Sequence, residues 1–156
     1  AKKVTMTWAY HPKALPMAVP NSFALIASKF GMDLTLAWPK EFPLSAPILA
    51  EVEKNLGGKP RIVHDMKEGI DGAEVVYAKS WGGVGYYGRW EEEKKVREGY
   101  RDWQVTEIPE GSHFMHCLPV RRNVIVSDAV LDSSKVYDQA ENRLHVQKAI
   151  LSSLMS

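Results

Sequence analysis

Residues 4–38 of the chain read VTMTWAYHPKALPMAVPNSFALIASKFGMDLTLAW. Apolar residues alternate with small polar ones over 4–9 and 32–38, which predicts two strands. Between them, the apolar residues of FALIASKFG predict a helix over 23–31, with Asn21 and Ser22 available as caps and Gly31 at its end. Strand, helix and strand in this order form the repeating unit of a parallel sheet.

The same alternation of strands and helices continues along the rest of the chain. It predicts an α/β, Rossmann-like, three-layer domain with a mainly parallel central sheet and helices on both faces. The further predicted elements are a helix over 48–58, a strand over 61–65, a helical turn over 66–73, a strand over 74–81, a helix over 90–103, a strand over 113–118 and a helix over 140–155.

The composition excludes several classes of partner. The chain has 156 residues, of which 45% are hydrophobic, so it can build one buried core. Its net charge is +1, which indicates neither a nucleic acid nor an anionic membrane as a partner. Cys117 is the only cysteine, and no signal peptide or bilayer-length apolar run is found, so we expect a cytoplasmic location. The first residues enter a strand directly, so we also expect the natural polypeptide to begin upstream.

Three polar motifs follow predicted strands. HPK contains His11 and follows the first strand, Lys79 in AKSW follows the fourth, and HCLPVRRN follows the fifth. Because the carboxyl ends of parallel strands share one edge of a sheet, we expect these motifs to converge on one crevice. Taken singly, each has an ordinary structural explanation: a solvated loop histidine, a surface lysine, a small buried cysteine and a solvated arginine pair.

A metal site is not indicated by the sequence. HFMHC has the appearance of a ligand cluster, but on a strand His113 and Cys117 point to one face and His116 to the other. The other histidines form no second close pair at ligand spacing. We therefore predict no bound metal.

A glycine pattern offers a different function. Gly83, Gly85 and Gly88 in GVGYYG satisfy the GxGxxG pattern of dinucleotide-binding folds, and Asp102 lies near the expected acidic offset. That fingerprint normally opens the first strand–helix unit, whereas here it follows the fourth strand. Dinucleotide binding remains an alternative prediction.

Four segments together resemble a known family. TWAYHPKALPMAVPNSF, VVYAKSWG, FMHCLPVRRNVIVSDAV and DQAENRLHVQKAIL are similar to the ornithine-binding, C-terminal half of the ornithine carbamoyltransferase family. HCLP followed by AENR is typical of the ornithine-type enzymes, and WAYHPK with AKSW is typical of the branch that acts on N-acylated ornithine.

The resemblance implies a reaction and a set of roles. The δ-amine of an N-acylornithine such as N-acetylornithine takes the carbamoyl group of carbamoyl phosphate in arginine biosynthesis, and no cofactor is implied. The residues that match catalytic positions are Cys117, Arg121 and Arg143. The residues that match positions for carbamoyl phosphate are His116, Cys117, Leu118 and Arg143. The residues that match positions holding the amino acid are His11, Lys79, Lys94, Leu118 and Arg121.

The sequence leaves two registers open for one of these residues, because Lys95 directly follows Lys94. It also contains neither the Ser-x-Arg-Thr loop nor the HPxQ motif that the family carries in its other domain. We therefore expect residues 1–156 to be the acylornithine-binding domain of a two-domain, trimeric transcarbamylase, inactive alone because the carbamoyl-phosphate-binding domain is absent. The alternatives are ornithine as the substrate, despite AKSWG replacing the SMG loop typical of ornithine enzymes, and a non-catalytic binding module. The sequence does not decide between acetyl and succinyl as the acyl group.

Overall fold

Five short parallel strands form the central sheet of the structure, a computed structural model that describes residues 1–155. Their spatial order is β3-β2-β1-β4-β5, and every neighbouring pair is parallel. The predicted α/β class with a parallel sheet is confirmed. The strands are β1 (Lys3–Trp8), β2 (Asp33–Ala37), β3 (Arg61–Val63), β4 (Val75–Lys79) and β5 (His113–Met115).

Six α-helices and one short 3-10 helix (Val84–Tyr86) connect and flank the strands in the described residues. None of the helices in residues 1–155 is long and apolar enough to cross a membrane. The α-helices are α1 (Ala18–Lys29), α2 (Ala46–Leu56), α3 (Met66–Ile70), α4 (Trp90–Glu98), α5 (Asp128–Asp132) and α6 (Val136–Met155).

The predicted helix boundaries differ from the observed ones in physically simple ways. Helix α1 begins at Ala18, so Asn21 and Ser22 lie inside it and do not cap it, contrary to the prediction. Pro20 is tolerated there because the first turn of a helix has N–H groups without helical partners. Gly31 follows the end of α1 with a φ of 62°, as the sequence predicted. Helix α4 ends at Glu98 before Gly99, α5 was not predicted, and α6 begins earlier than residue 140.

Two hydrophobic cores lie on opposite faces of the sheet. Because side chains alternate along a strand, Met6 and Trp8 of β1 face helices α1 and α2, in the same cluster as Tyr77 of β4. Val76 and Ala78 of β4 point the other way and pack in a second cluster with residues of α3 and α5. Helices therefore cover both faces, which confirms the predicted three-layer arrangement.

Strands β4 and β5 end earlier than the sequence predicted. Strand β5 was expected to extend to residue 118 but ends at Met115, because the next N–H, that of His116, donates to Gln139 Oε1 (3.1 Å) of α6 and leaves the sheet. Strand β4 ends at Lys79, and the carbonyl of Trp81 accepts from Trp8 Nε1 (3.0 Å). The residues that follow β4 and β5 therefore lie outside the sheet ladder, at its carboxyl edge.

The C-terminal helix α6 contacts little of the described chain. Val136, in its first turn, is its buried residue. The rest of its described length carries large apolar side chains that are more than half exposed: Tyr137, Leu144, Val146, Ile150, Leu151, Leu154 and Met155. Apolar surface of this extent is unusual on a helix that faces only water.

Gly69 allows α3 to lie close to the sheet. A Cβ atom at this position would lie 2.6 Å from Ala37 Cβ and 3.1 Å from Val63 Cγ2. The hydroxyl of Thr5 donates to the Gly69 carbonyl at 2.6 Å, which holds the helix at that distance. A larger residue must push the helix away from β2 and β3.

Replacing Gly69 by alanine is expected to lower the free energy of unfolding by about 1–3 kcal/mol, because overpacking outweighs the roughly 0.5–1 kcal/mol that alanine contributes in a helix. Urea unfolding measures the difference. Gly58→Ala is the matched control, since no atom lies within 4 Å of a Cβ there and its φ is not positive. Equal stability of the two variants would contradict the close approach of α3.

Candidate active site

The carboxyl ends of β1 and β4 form a topological switch point. The chain leaves β1 towards β2 on one side of the sheet and leaves β4 towards β5 on the other, so the two loops diverge over a crevice. The N–H of Gly82 donates to the carbonyl of Leu15 (2.8 Å), which ties the loop after β4 to the loop after β1. Ligands of open parallel sheets bind at such a position.

His11 is buried at the end of β1. Its Nδ1 lies 3.0 Å from the backbone nitrogen of Lys13, which donates to it. Burial lowers the pKa of His11, and the positive charges of Arg121, Arg97 and Lys79 lower it further. The ring therefore carries no charge of its own beside a group of cations.

The structure brings together residues from all three predicted motifs. The parallel register places Lys79 of β4 opposite Trp8, three residues before His11, and Tyr77 of β4 opposite Met115, the residue before His116. The predicted convergence of the motifs on one sheet edge is confirmed. The cluster gives this crevice local positive charge in a chain of almost zero net charge.

His116 is a buried, uncharged imidazole. It is 1% exposed, and burial lowers its pKa to about 4. Its Nδ1 is bonded to the carbonyl of Cys117, so Nδ1 carries the proton and Nε2 presents a lone pair. Among the described residues no group donates to that Nε2.

Cys117 and Leu118 follow His116 just beyond the carboxyl end of β5. Cys117 is half-buried and lines one apolar cleft with Tyr77 and Gln139. Burial, followed by the charge of Cys117, raises the pKa of Tyr77 to about 12. Leu118 is exposed and precedes Pro119 through a cis peptide bond. Within residues 1–155 its carbonyl oxygen accepts no hydrogen bond, so it is available to a ligand.

The two adjacent arginines have different environments. Arg122 donates to Asp128 (2.9 Å) and Asp132 (2.6 Å) of α5, and these hydrogen bonds raise its pKa. Arg121 is exposed and has no ion pair with any described residue. The sequence doublet is therefore divided into a structural arginine and one that is available at the crevice.

Lys94 and Arg143, the last two predicted site residues, lie in different surroundings. Lys94 lines a cleft of about 360 Å³ together with Lys13 and Arg97, whereas Lys95 does not, so the structure favours the first of the two registers. Arg143 lies on the exposed part of α6, one helical turn beyond Gln139. Among the described residues it contacts none of the other predicted site residues.

A second, apolar cleft adjoins the first. It has a volume of about 520 Å³ and shares Ala14 and Trp90 with the charged cleft. Leu15, Met17 and Tyr87 form part of its remaining wall. Together the two clefts offer a site for a molecule with a charged part and an apolar part.

Sequence reasoning missed several residues of the site. Tyr77 and Gln139 are brought to Cys117 by the sheet register and by α6, and no local motif marks them. Glu93 and Arg97 are each 1% exposed and pair with one another beneath the crevice. Their i,i+4 spacing is also that of an ordinary surface pair, so only the structure reveals their burial.

The glycine pattern does not build a phosphate-binding turn. The 3-10 helix contains Gly85, and Gly88, with a φ of 78°, precedes α4. The first turn of α4 carries three acidic residues, Glu91 to Glu93, which repel an anion at that helix terminus. Separately, no cluster of three or more histidine, cysteine or acidic side chains suited to a metal occurs in residues 1–155.

Residues 16–154 match the family described as aspartate/ornithine carbamoyltransferase, Asp/Orn binding domain. The chain belongs to this family. The structural elements that form the crevice all contribute to the matched segment, apart from β1 and the HPK motif that follows it.

Relatives within the family are similar over nearly the whole chain. N-acetylornithine carbamoyltransferase of Xanthomonas axonopodis pv. citri is 45% identical over 165 residues, covering 99% of this chain and 48% of the relative. N-succinylornithine carbamoyltransferase of Bacteroides fragilis is 38% identical, covering 90% of this chain and 42% of the relative. A crystal structure of acetylornithine transcarbamylase complexed with acetylcitrulline has a TM-score of 0.94 at 44% identity, covering 99% of this chain and 49% of that chain. The chain spans about half the length of the relatives it matches.

The burial of His116 predicts a pH-dependent stability. An unfolded chain protonates this ring near pH 6.5, whereas the folded chain resists protonation down to about pH 4. The unfolded state therefore binds more protons in this window, and stability falls as the pH decreases through it, by up to about 3 kcal/mol.

Urea unfolding at pH 7 and pH 4.5 measures this loss, with His116→Asn as the comparison. Asparagine keeps a donor for the Cys117 carbonyl but does not titrate, so the variant is expected to lose less stability between the two pH values. Equal losses in both proteins would show that His116 is not the titrating group.

Proposed function

We propose that this chain is the acylornithine-binding domain, residues 1–156, of an enzyme that carbamoylates the δ-amine of N-acetylornithine. The observation that carries the proposal is the gathering of His11, Lys79 and Arg121 beside Cys117 and Leu118 at the switch point. The names of the relatives and the bound acetylcitrulline in a similar structure support this substrate.

The reaction forms a C–N bond and breaks a C–O bond. The neutral δ-amine attacks the carbonyl carbon of carbamoyl phosphate, and phosphate leaves and takes up the proton that the nitrogen loses. The Leu118 carbonyl, which has no partner in the described chain, accepts a hydrogen bond from the attacking amine and orients its lone pair. Arg121 and Arg143 stabilise the negative charge that develops on the carbonyl and phosphate oxygens.

The remaining residues of the site hold the substrates without taking part in bond changes. Cys117, packed on Tyr77, forms a wall beside the carbamoyl group and is no nucleophile in this reaction. The uncharged His116 contributes to the carbamoyl phosphate site. Lys79 and Lys94 attract the α-carboxylate of the amino acid, and His11 adds a hydrogen-bonding group beside them.

We further propose that the complete enzyme contains a carbamoyl-phosphate-binding domain, forms a homotrimer and works in the cytoplasm. The coverage of about half of each relative supports a further domain. So do the exposed apolar side chains of α6, which such a domain can cover. On this basis the isolated chain lacks part of the active site and does not turn over alone.

Acetyl is favoured over succinyl as the acyl group by the higher identity to N-acetylornithine carbamoyltransferase. Free ornithine is disfavoured by AKSWG in place of the loop typical of ornithine enzymes. Dinucleotide binding is disfavoured by the acidic first turn of α4.

A carbamoyl transfer assay on a two-domain protein that contains this chain tests the function. Turnover is expected with N-acetylornithine, and less or none with N-succinylornithine and ornithine. The isolated chain serves as the inactive control. Absence of turnover with all three amines, together with binding of N-acetylornithine by the isolated chain, would instead support a non-catalytic binding module.

Arg121→Ala in the same two-domain protein is expected to lower kcat/KM by about a hundredfold or more, because it removes charge stabilisation in the transition state. Arg122→Ala is the matched control: it removes the same charge from the neighbouring residue and loses only solvent-exposed ion pairs, which contribute little to stability. Equal kinetic effects of the two substitutions would exclude a specific role for Arg121.

A further inference from the structure

Helix α4 buries a charged pair beneath the crevice. Its exposed residues include Glu91, Glu92 and Lys94, whereas Glu93 and Arg97 are each 1% exposed and form an ion pair with each other. Removing two charges from water costs free energy that their mutual attraction often does no more than offset. The pair is therefore a poor device for stability alone.

The guanidinium of Arg97 is directed at the turn that follows β4. Its Nη1 donates to Ser80 Oγ (3.3 Å) and its Nη2 donates to the carbonyl of Trp81 (3.0 Å). The rings of Trp8 and Phe42 lie 5.3 Å and 4.9 Å from its Cζ atom. Ionic, hydrogen-bonding and aromatic contacts thus fix the position of the guanidinium.

The other restraints on that turn come from the sheet side, where Trp81 Nε1 donates to the Phe42 carbonyl (2.9 Å) and the Trp81 ring packs on Trp38. The sheet ladder ends where the N–H of Ala9 donates to the carbonyl of Lys79 (3.1 Å). Beyond it, Trp8 Nε1 is the other donor to the Trp81 carbonyl, and Gly82 is joined to Leu15. Without Arg97, the hydroxyl of Ser80 loses its donor and the turn loses its restraint on the side of α4.

The pair also has unsatisfied atoms. Among the described residues, Glu93 Oε2 and Arg97 Nε are buried without a hydrogen-bond partner. Such atoms cost free energy, and a pair selected for stability alone would avoid them. This argues that the pair is kept for the geometry it imposes on the turn.

We propose that Arg97, held by Glu93, is a positioning residue that fixes the turn at Ser80 and Trp81 and thereby sets where Lys79 meets the α-carboxylate of the acylornithine. The inference rests on the proposed function. Arg97 also borders the charged cleft, but its guanidinium donates to the turn after β4 and pairs with Glu93, so it acts through Lys79 and its loss affects the amino acid and not carbamoyl phosphate.

The test uses a variant that is expected to fold. Glu93→Leu with Arg97→Met replaces the pair by apolar side chains of similar volume, a change that is commonly neutral or stabilising. In the two-domain protein, the KM for N-acetylornithine is expected to rise by about tenfold or more through misplacement of Lys79. The KM for carbamoyl phosphate is expected to stay within about twofold of the parent value, with an unchanged urea midpoint.

Two further variants separate geometry from charge. Arg97→Lys keeps the charge but cannot reach Ser80 Oγ and the Trp81 carbonyl together, so it is expected to share the raised KM for N-acetylornithine. Arg61→Met with Glu68→Leu removes an exposed pair of the same chemistry (2.9 Å) outside the crevice and is expected to change neither KM.

The outcomes are distinct. An unchanged KM for N-acetylornithine in the folded double variant would overturn the inference, as would a parent-level KM in Arg97→Lys or an equal rise for both substrates. A parent protein that fails to turn over any of the three amines would instead overturn the proposed function on which the inference rests.

Discussion

The pairing of β1 with β4 determines the rest of the architecture. These strands are far apart in sequence but adjacent in the sheet, and their parallel register places Trp8 opposite Lys79. The chain leaves the two strand ends in opposite directions, so the HPK loop and the AKSW loop open over a shared crevice. Strand β5, paired with β4, brings HCLP to the same edge. Every candidate residue except Lys94 and Arg143 reaches the site through this strand arrangement.

An aromatic layer supports the crevice from below. Trp8 stacks on Phe42 at 4.9 Å and meets Trp103 edge to face at 6.0 Å. Trp81 packs edge to face on Trp38, and its ring Nε1 donates to the Phe42 carbonyl at 2.9 Å. These large side chains bury much apolar area with few rotatable bonds, so the loops above them are anchored on a stiff base.

The sequence predicted the sheet and its functional edge well because both depend on local patterns. Strand alternation, the glycine after α1 and the motifs after three strands are readable from short segments. Helix α5 was missed because five residues show no helical periodicity; its start is marked by Ser127, whose hydroxyl accepts from Val130 N (3.4 Å). The extent of β5 was misjudged because a side chain from α6 takes over its next hydrogen bond.

Tertiary environment determines what the sequence left undecided. Arg121 and Arg122 cannot be distinguished from the sequence, and only the ion pairs of Arg122 with α5 show that the two arginines have different environments. Glu93 and Arg97 have the spacing of a surface pair but lie under the crevice. For the residues that matter most to the proposed chemistry, the tertiary surroundings and not the local sequence pattern thus determine the role.

The most direct measurement is a crystal structure of a two-domain protein that contains this chain, with N-acetylcitrulline bound. The account predicts the α-carboxylate within about 3.5 Å of Lys79 Nζ, in hydrogen-bonding range, and the ureido group beside the Leu118 carbonyl. N-acetylcitrulline bound away from the carboxyl ends of β1 and β4, or bound there without contact to Lys79, would contradict it.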